Sequence, residues 1–413
     1  MALDRVTRHG MRRAFGAAIL LVLTACSPTD FQFGSRTLSF GGDAPMQPGQ
    51  GQVIPNQPML PAGPSESFGR GPVKVALLLP LSGDPGLASV GMSLANASKL
   101  AVAFIEANPN IAENVTFTLR DTGATVQGAT SAASAAVADG AKLILGPLRA
   151  DQVTAAGAVA RAAGLPLIGF SNNPTAASPG VYLLSVLPDA EMKRSLNWVK
   201  IQGRRGVAGI FPATEFGQAQ ETAFRQQAAA AGFAPQAIYT FSDINEAKQI
   251  VDQALPMIQK SLIDTLYLPD RSTAPSFGAL LSQAGVSADM VQIVGSADWE
   301  GDPAIMTASQ LSGAIYPTVD GAGMAAIRGD YQARFGGQPH ALATIAYTAT
   351  VLANVNALSM ANPPYNAGLL TAATGFNGRD GVFRFLGNGR SEYALAIKKI
   401  GQGGAVQIEG AKL

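Results

Sequence analysis

The chain has 413 residues, 47 % hydrophobic and only 14 % charged, with 29 Lys and Arg nearly balancing 28 Asp and Glu. That composition excludes a wholly disordered chain, which needs low hydrophobicity and high net charge. Without a basic excess to neutralise phosphates it also argues against a nucleic-acid partner. The length allows two to three domains with sizeable cores.

The only cysteine is Cys26, and the only histidines are His9 and His340. A zinc site built from these residue types needs several ligands, so no metal is expected. No G-x-S-x-G elbow is present, and His340 sits in Gln338-Pro339-His340, which leaves no Ser–His–Asp arrangement. Carboxylate-only hydrolysis stays formally open, because any two carboxylates can converge in space. The expectation is a non-enzymatic chain with no cofactor.

Taken in chain order, residues 1–26 read as an address. Arg5, Arg8, Arg12 and Arg13 precede an uncharged apolar run over 14–25, too short to span a bilayer but right for a signal segment. Met11 is an alternative start. The run ends Leu23-Thr24-Ala25-Cys26, which resembles the bacterial lipobox. That resemblance implies lipid on Cys26 and a tethered chain, and Ser27 after it implies the outer membrane, with the folded part in the periplasm. Residues 27–72 hold eight Pro and eight Gly with no apolar periodicity, and are expected to be a disordered tether.

From residue 73 the pattern changes. Apolar strands are expected at 74–79, 115–119, 143–145 and 166–170, with helices at 86–108, 126–138 and 153–163 between them. The alternation continues with strands at 181–186, 206–211, 237–241, 265–268 and 291–294. Helices are expected at 190–202, 216–231, 246–260 and 277–284. A further strand near 313–316 leads to helices at 322–335 and 341–361. Residues 382–386 and 392–400 then read as an antiparallel pair around Gly387-Asn388-Gly389. Strands alternating with helices imply an α/β fold with parallel sheets, divided into two lobes.

Leu79-Pro80-Leu81-Ser82-Gly83, Gly91, Leu100-Ala101-Val102 and Asn108 resemble the opening of the leucine/isoleucine/valine-binding family of periplasmic proteins. Gly146-Pro147, Gly164-Leu165-Pro166-Leu167-Ile168, Asn173-Pro174 and Ala213-Thr214-Glu215-Phe216-Gly217 continue the match in order. The resemblance implies a type I periplasmic-binding-protein fold with two parallel-sheet lobes, three hinge crossings and a cleft between them. Lobe one is expected over 73–187 plus 317–378 and lobe two over 188–316 plus 379–413, with crossings near Pro188, Pro317 and Arg379.

Open α/β sheets bind ligands beyond the carboxyl ends of their strands. That rule nominates Ser82, Asp121, Arg149, Ala150, Ser171 and Asn172 in lobe one, and Phe216, Arg271, Asp298 and Trp299 in lobe two. Arg149 and Arg271 can fork onto an anion or pair with acids; Arg149 can also reach Glu215 across the cleft. Asp121 and Asp298 can bind an amine or cap a turn. Trp299 can stack on a ligand or pack beneath the hinge. The family's amino-acid clamp is altered: Arg149-Ala150-Asp151 stands where a serine hydroxyl follows the Gly-Pro turn, and Phe216 lacks a phenol. Together with the lipobox and tether, this resembles the branch of penicillin-binding-protein activator lipoproteins. The partner then implied is a peptidoglycan synthase. The other reading is the solute-binding protein of an ABC transporter, with a permease as partner and a small polar or anionic ligand.

Overall fold

A computed structural model describes residues 65–413. The expected leader with Cys26, and the expected tether as far as residue 64, lie outside the described residues. Six strands form the first sheet: β1 (Glu66–Phe68), β2 (Val73–Leu79), β3 (Val115–Asp121), β4 (Leu143–Leu145), β5 (Leu167–Gly169) and β6 (Val181–Leu183). Their order is β1-β3-β2-β4-β5-β6, parallel except where β1 runs against β3. Helices α1 (Pro85–Ala107), α2 (Val126–Ala138) and α3 (Ala150–Ala162) connect them.

Strand β2 shows why this sheet is a middle layer. Val75, Leu77 and Leu79 face a core shared with Leu94, Ala97 and Ala101 of α1, whereas Ala76 and Leu78 face Ala132, Ala133 and Ala156 of α2 and α3. A period of two in a run apolar at every position buries both faces. At strand ends, close approach demands glycine: a Cβ on Gly91 of α1 would lie 1.9 Å from the Pro80 carbonyl oxygen.

The second sheet begins after α4 (Pro188–Ile201). It alternates β7 (Val207–Pro212), α5 (Glu215–Ala231), β8 (Ala237–Phe241), α6 (Ala247–Gln259), β9 (Thr265–Tyr267), α7 (Ala274–Gln283), β10 (Gln292–Val294), α8 (Pro303–Thr307) and β11 (Ile315–Thr318). Helices α9 (Ala322–Phe335) and α10 (Ala343–Asn354) return to the first lobe, where Ile327, Tyr331 and Leu352 join its core. The expected helix over 341–361 stops at Asn354 and resumes as a short α11 (Asn356–Ser359). Asn114 explains the break: its amide donates to the Asn354 carbonyl at 2.9 Å, and its backbone N–H donates to the Asn354 side chain at 2.9 Å.

A small antiparallel sheet follows, β12 (Phe376–Gly378), β13 (Gly381–Phe385) and β14 (Ser391–Tyr393). The chain then passes through Ala394 into β15 (Leu395–Gly401) and β16 (Gly404–Lys412). These complete the second sheet in the order β16-β15-β11-β10-β9-β7-β8. The architecture is the expected α/β, two-lobed one.

Three expectations need correction. Residues 66–68 belong to the fold and not to a tether, because Phe68 stacks on Phe117 with ring centroids 5.5 Å apart while β1 pairs with the open edge of β3. The third crossing falls at Ala394 and not near Arg379. Phe383, Phe385 and Tyr393 are buried in the first lobe's core, with Phe385 5.3 Å from Tyr182, so β12–β14 cover an apolar edge of lobe one. The expected strand over 392–400 therefore divides between two sheets. Near Pro317, which pairs with Ile397 inside β11, the chain leaves that sheet after Thr318.

Candidate functional site: the cleft between the lobes

The carboxyl ends of β2–β5 in lobe one and of β7, β9 and β10 in lobe two carry the nominated residues. In lobe one, Asp121 is a tie rather than a free carboxylate. Its Oδ1 accepts from the Leu81 and Gly123 N–H groups at 2.8 Å and from the Ser82 N–H at 3.2 Å, and its Oδ2 accepts from the Ser82 hydroxyl. Burial raises its pKa, but these bonds outweigh burial and hold it below the usual carboxylate range. Ser82 is thereby committed to shaping the loop that leads to Asp84, the N-cap of α1.

Arg149 sits at the N-cap of α3 with its side chain half exposed. Its Nε and one terminal nitrogen reach Asp151 at 3.2 and 3.3 Å, and the fields of Glu215 and Asp84 add to its cationic bias. Ala150, half-buried, opens α3. Ser171 is buried, with its hydroxyl accepting from the Asn173 N–H at 3.1 Å; Asn172 beside it is exposed.

One side-chain hydrogen bond joins the strand-end loops of the two lobes. Asn173 Nδ2 donates to Glu215 Oε1 at 2.6 Å. The amide is oriented from the other side, since its Oδ1 accepts from both the N–H and the hydroxyl of Thr175 at 3.0 and 2.8 Å. Glu215 opens α5 behind the N-cap Thr214, where the helix N-terminus favours an acid. Sequence reasoning placed Arg149 as the group that could reach Glu215; Asn173 makes that bond, while Arg149 pairs within its own lobe. In the sequence Asn173 stood out only as part of Asn173-Pro174, one piece of the family resemblance, which says nothing of where its side chain points.

In lobe two, Phe216 is half-buried beside Glu215. Arg271 is exposed, 3.8 Å from Asp302. Asp298 is exposed, yet desolvation by the surrounding protein raises its carboxyl pKa, Arg271 lowers it and Asp270 raises it again, leaving it above the ordinary value. Trp299 is a correction. It is fully buried in the lobe-two core, packed over Gly295 and tilted against Tyr316 at 6.3 Å, so it offers no face to a ligand.

Sequence reasoning missed Glu191, in the first turn of α4. It is buried, accepts from the Ala297 N–H at 3.2 Å and from Gln220 Nε2 at 3.3 Å, and Gln220 Oε1 in turn accepts from the Tyr267 hydroxyl at 2.7 Å. Burial, then the charge of Asp298, lifts its pKa to about 8 against those two bonds. One acid in a helical first turn carries no sequence signal of such a neighbourhood.

The cleft thus presents a half-exposed guanidinium, several acids and short polar side chains. The one hydroxyl–carboxylate contact among the nominated residues, Ser82 to Asp121, is tied into the loop by three backbone N–H groups. Among the described residues no group of three or more His, Cys, Asp and Glu side chains could hold a metal ion. The arrangement can grip, orient and release a polar molecule. A cavity of about 450 Å³ against Arg225 and residues 235–238 is a separate feature of lobe two.

No curated protein matches the chain in sequence. Solved structures do. A Rhodospirillum rubrum protein named for branched-chain amino acid ABC transport matches with TM-score 0.70 and 21 % identity, over 81 % of this chain and 99 % of that one. A Desulfitobacterium hafniense ABC transporter substrate-binding protein in complex with Leu gives 0.61 and 17 %, over 81 % and 99 %. A Rhodopseudomonas palustris solute-binding protein in complex with 3,4-dihydroxy benzoic acid gives 0.58 and 19 %, over 83 % and 97 %. These likenesses establish the fold. The family model described as periplasmic binding protein matches residues 72–397, nearly the whole folded part, and the chain belongs to that family.

Proposed function

We propose that the chain is a non-enzymatic solute-binding protein that takes a small carboxylate-bearing ligand into its cleft and delivers it to an ABC permease. The observation carrying this reading is Arg149, half exposed at the end of β4 and partnered only by Asp151 of its own lobe among side chains. An exposed planar fork can exchange a local carboxylate for a ligand's and close two parallel hydrogen bonds on it. Leu and 3,4-dihydroxy benzoic acid, the ligands named for two similar structures, are both carboxylic acids. The arginine in place of a serine and the missing phenol at Phe216 favour a ligand other than a branched-chain amino acid. Membership of a periplasmic binding protein family supports a periplasmic site, and Cys26 would supply a lipid tether there.

A thermal-shift panel of amino acids, benzoates and dicarboxylates tests the reading. A true ligand at 100 times its Kd stabilises by about 2.7 kcal/mol, and Arg149→Ala should abolish the shift. A panel without any shift, or equal shifts in the variant, would overturn it.

A second reading is favoured by the Asn173–Glu215 bond, which links the lobes with protein groups alone. A regulator of a peptidoglycan synthase needs no cargo and presents an outer surface to its partner. In that case the panel stays silent, and the purified chain changes the polymerisation rate of the synthase.

A further inference from the structure

Away from the cleft, a cavity of about 300 Å³ opens between α4, β14 and β16. Its walls come from both sides of the Ala394 crossing. Lys193, Arg194 and Lys200 project from α4, Glu392 from β14, and Glu409 and Lys412 from β16. At about 30 Å³ per water, it has room for a small organic or inorganic anion with part of its hydration shell.

Its charges do not balance. Glu392 is shared by Lys193 at 3.1 Å and by Arg384, and Glu409 is shared by Arg194 at 3.1 Å and by Lys412. Lys200 has a carbonyl for its partner, that of Ala231 at 2.7 Å. Among the side chains that line the cavity, four cations, Lys193, Arg194, Lys200 and Lys412, meet two carboxylates, Glu392 and Glu409, an excess of two. The chain as a whole carries 29 basic and 28 acidic residues, so this concentration is local.

The cations are also positioned. Arg194 is only 7 % exposed, with Nε donating to the Leu395 carbonyl at 2.6 Å and a terminal nitrogen to the Gly410 carbonyl at 3.2 Å. It anchors the floor, while Lys193 and Lys412 remain 42 % and 61 % exposed and can turn their ammonium donors inward. An ammonium with one partner keeps two further N–H donors.

We propose that this cavity is an anion-binding site, distinct from the cleft, for a small multivalent anion of the phosphate class. The site is independent of what the cleft binds.

Isothermal titration of the full chain with inorganic phosphate, at fixed ionic strength set with chloride, tests it. One saturable site is expected in the wild type and in Arg149→Ala. Lys193→Gln combined with Lys200→Gln should weaken it by about tenfold or more, equivalent to about 1.4 kcal/mol. Circular dichroism checks that the double variant folds. If it does not, Lys412→Gln, at an exposed position, reads the same loss. Absence of saturable binding up to about 10 mM phosphate overturns the proposal, since weaker affinity is not a specific site. So does binding that Arg149→Ala removes and the lysine variants leave intact.

Discussion

Asp121 at the end of β3 and Glu191 at the start of α4 are acids beside strand ends, one in each lobe, and their surroundings treat them oppositely. Asp121 gathers three backbone N–H groups and a hydroxyl. Those donors stabilise the charged form more than partial burial penalises it, so its pKa falls. Glu191 is more deeply buried, has two longer bonds, and faces Asp298 instead of a cation, so its pKa rises to about 8. Burial alone does not decide a carboxyl group's state; the count of donors set against like charges does. Lobe one thus carries a turn that favours the charged carboxylate, and lobe two a buried carboxyl whose protonated form is favoured.

The strongest way to break this comparison is Glu191→Gln. The folded pKa lies above the ordinary value of 4.5, so the protonated group's contribution is complete below pH 4.5 and is lost as pH rises toward about 8. Wild-type stability should therefore fall with pH across that window, by up to about 1.4 kcal/mol per pH unit from this group. The glutamine variant should show a flatter profile and exceed the wild type above pH 8. Urea unfolding at several pH values measures this; parallel profiles would mean that Glu191 is ionised and otherwise compensated.

A smaller effect is expected at Asp121. Here the folded pKa lies below 3.8, so the stabilisation is present above that pH and lost as pH falls through the folded value. Asp121→Ala leaves the Leu81 and Gly123 N–H groups without their acceptor. It should cost about 1–2 kcal/mol at neutral pH, after allowance for solvent screening at this half-exposed site. Proteolysis within 80–84 should accelerate in step.

The smallest effect on stability, but a visible one on shape, is expected from Asn173→Asp. The variant keeps the acceptor for Thr175 and replaces the donor to Glu215 with a like charge. Stability should change by less than about 1 kcal/mol, as for other exposed polar pairs. The radius of gyration from solution scattering should rise as the lobes part. An unchanged scattering profile would show that this bond does not hold the cleft.

Where residues carry their own structural instruction, the sequence was enough. Lys74-Val75-Ala76-Leu77-Leu78-Leu79 is apolar at nearly every position, and only a strand covered on both faces satisfies that. The α2 helix begins after Thr125, whose hydroxyl accepts from the Gly128 N–H at 3.0 Å, and the apolar pattern located it at 126–138 as observed. Two lobes, the strand–helix alternation and the nomination of strand-end loops follow from such local patterns.

Tertiary structure alone decided the rest. The apolar run Val382-Phe383, Phe385-Leu386 around Arg384 predicts a strand, but only the uncovered edge of lobe one beside Tyr182 determines which core Phe383 and Phe385 join. Trp299 and Asp298 are adjacent in sequence, yet one is core and the other exposed, because a single turn separates the two faces. The choice of Asn173 over Arg149 as partner of Glu215 depends on Thr175 and Asp151 claiming the other atoms first. Periodicity and turn chemistry act between near neighbours and are written in the chain. The state of Glu191 and the pairing of Glu215 arise from groups brought together across the fold, and no single residue records that company.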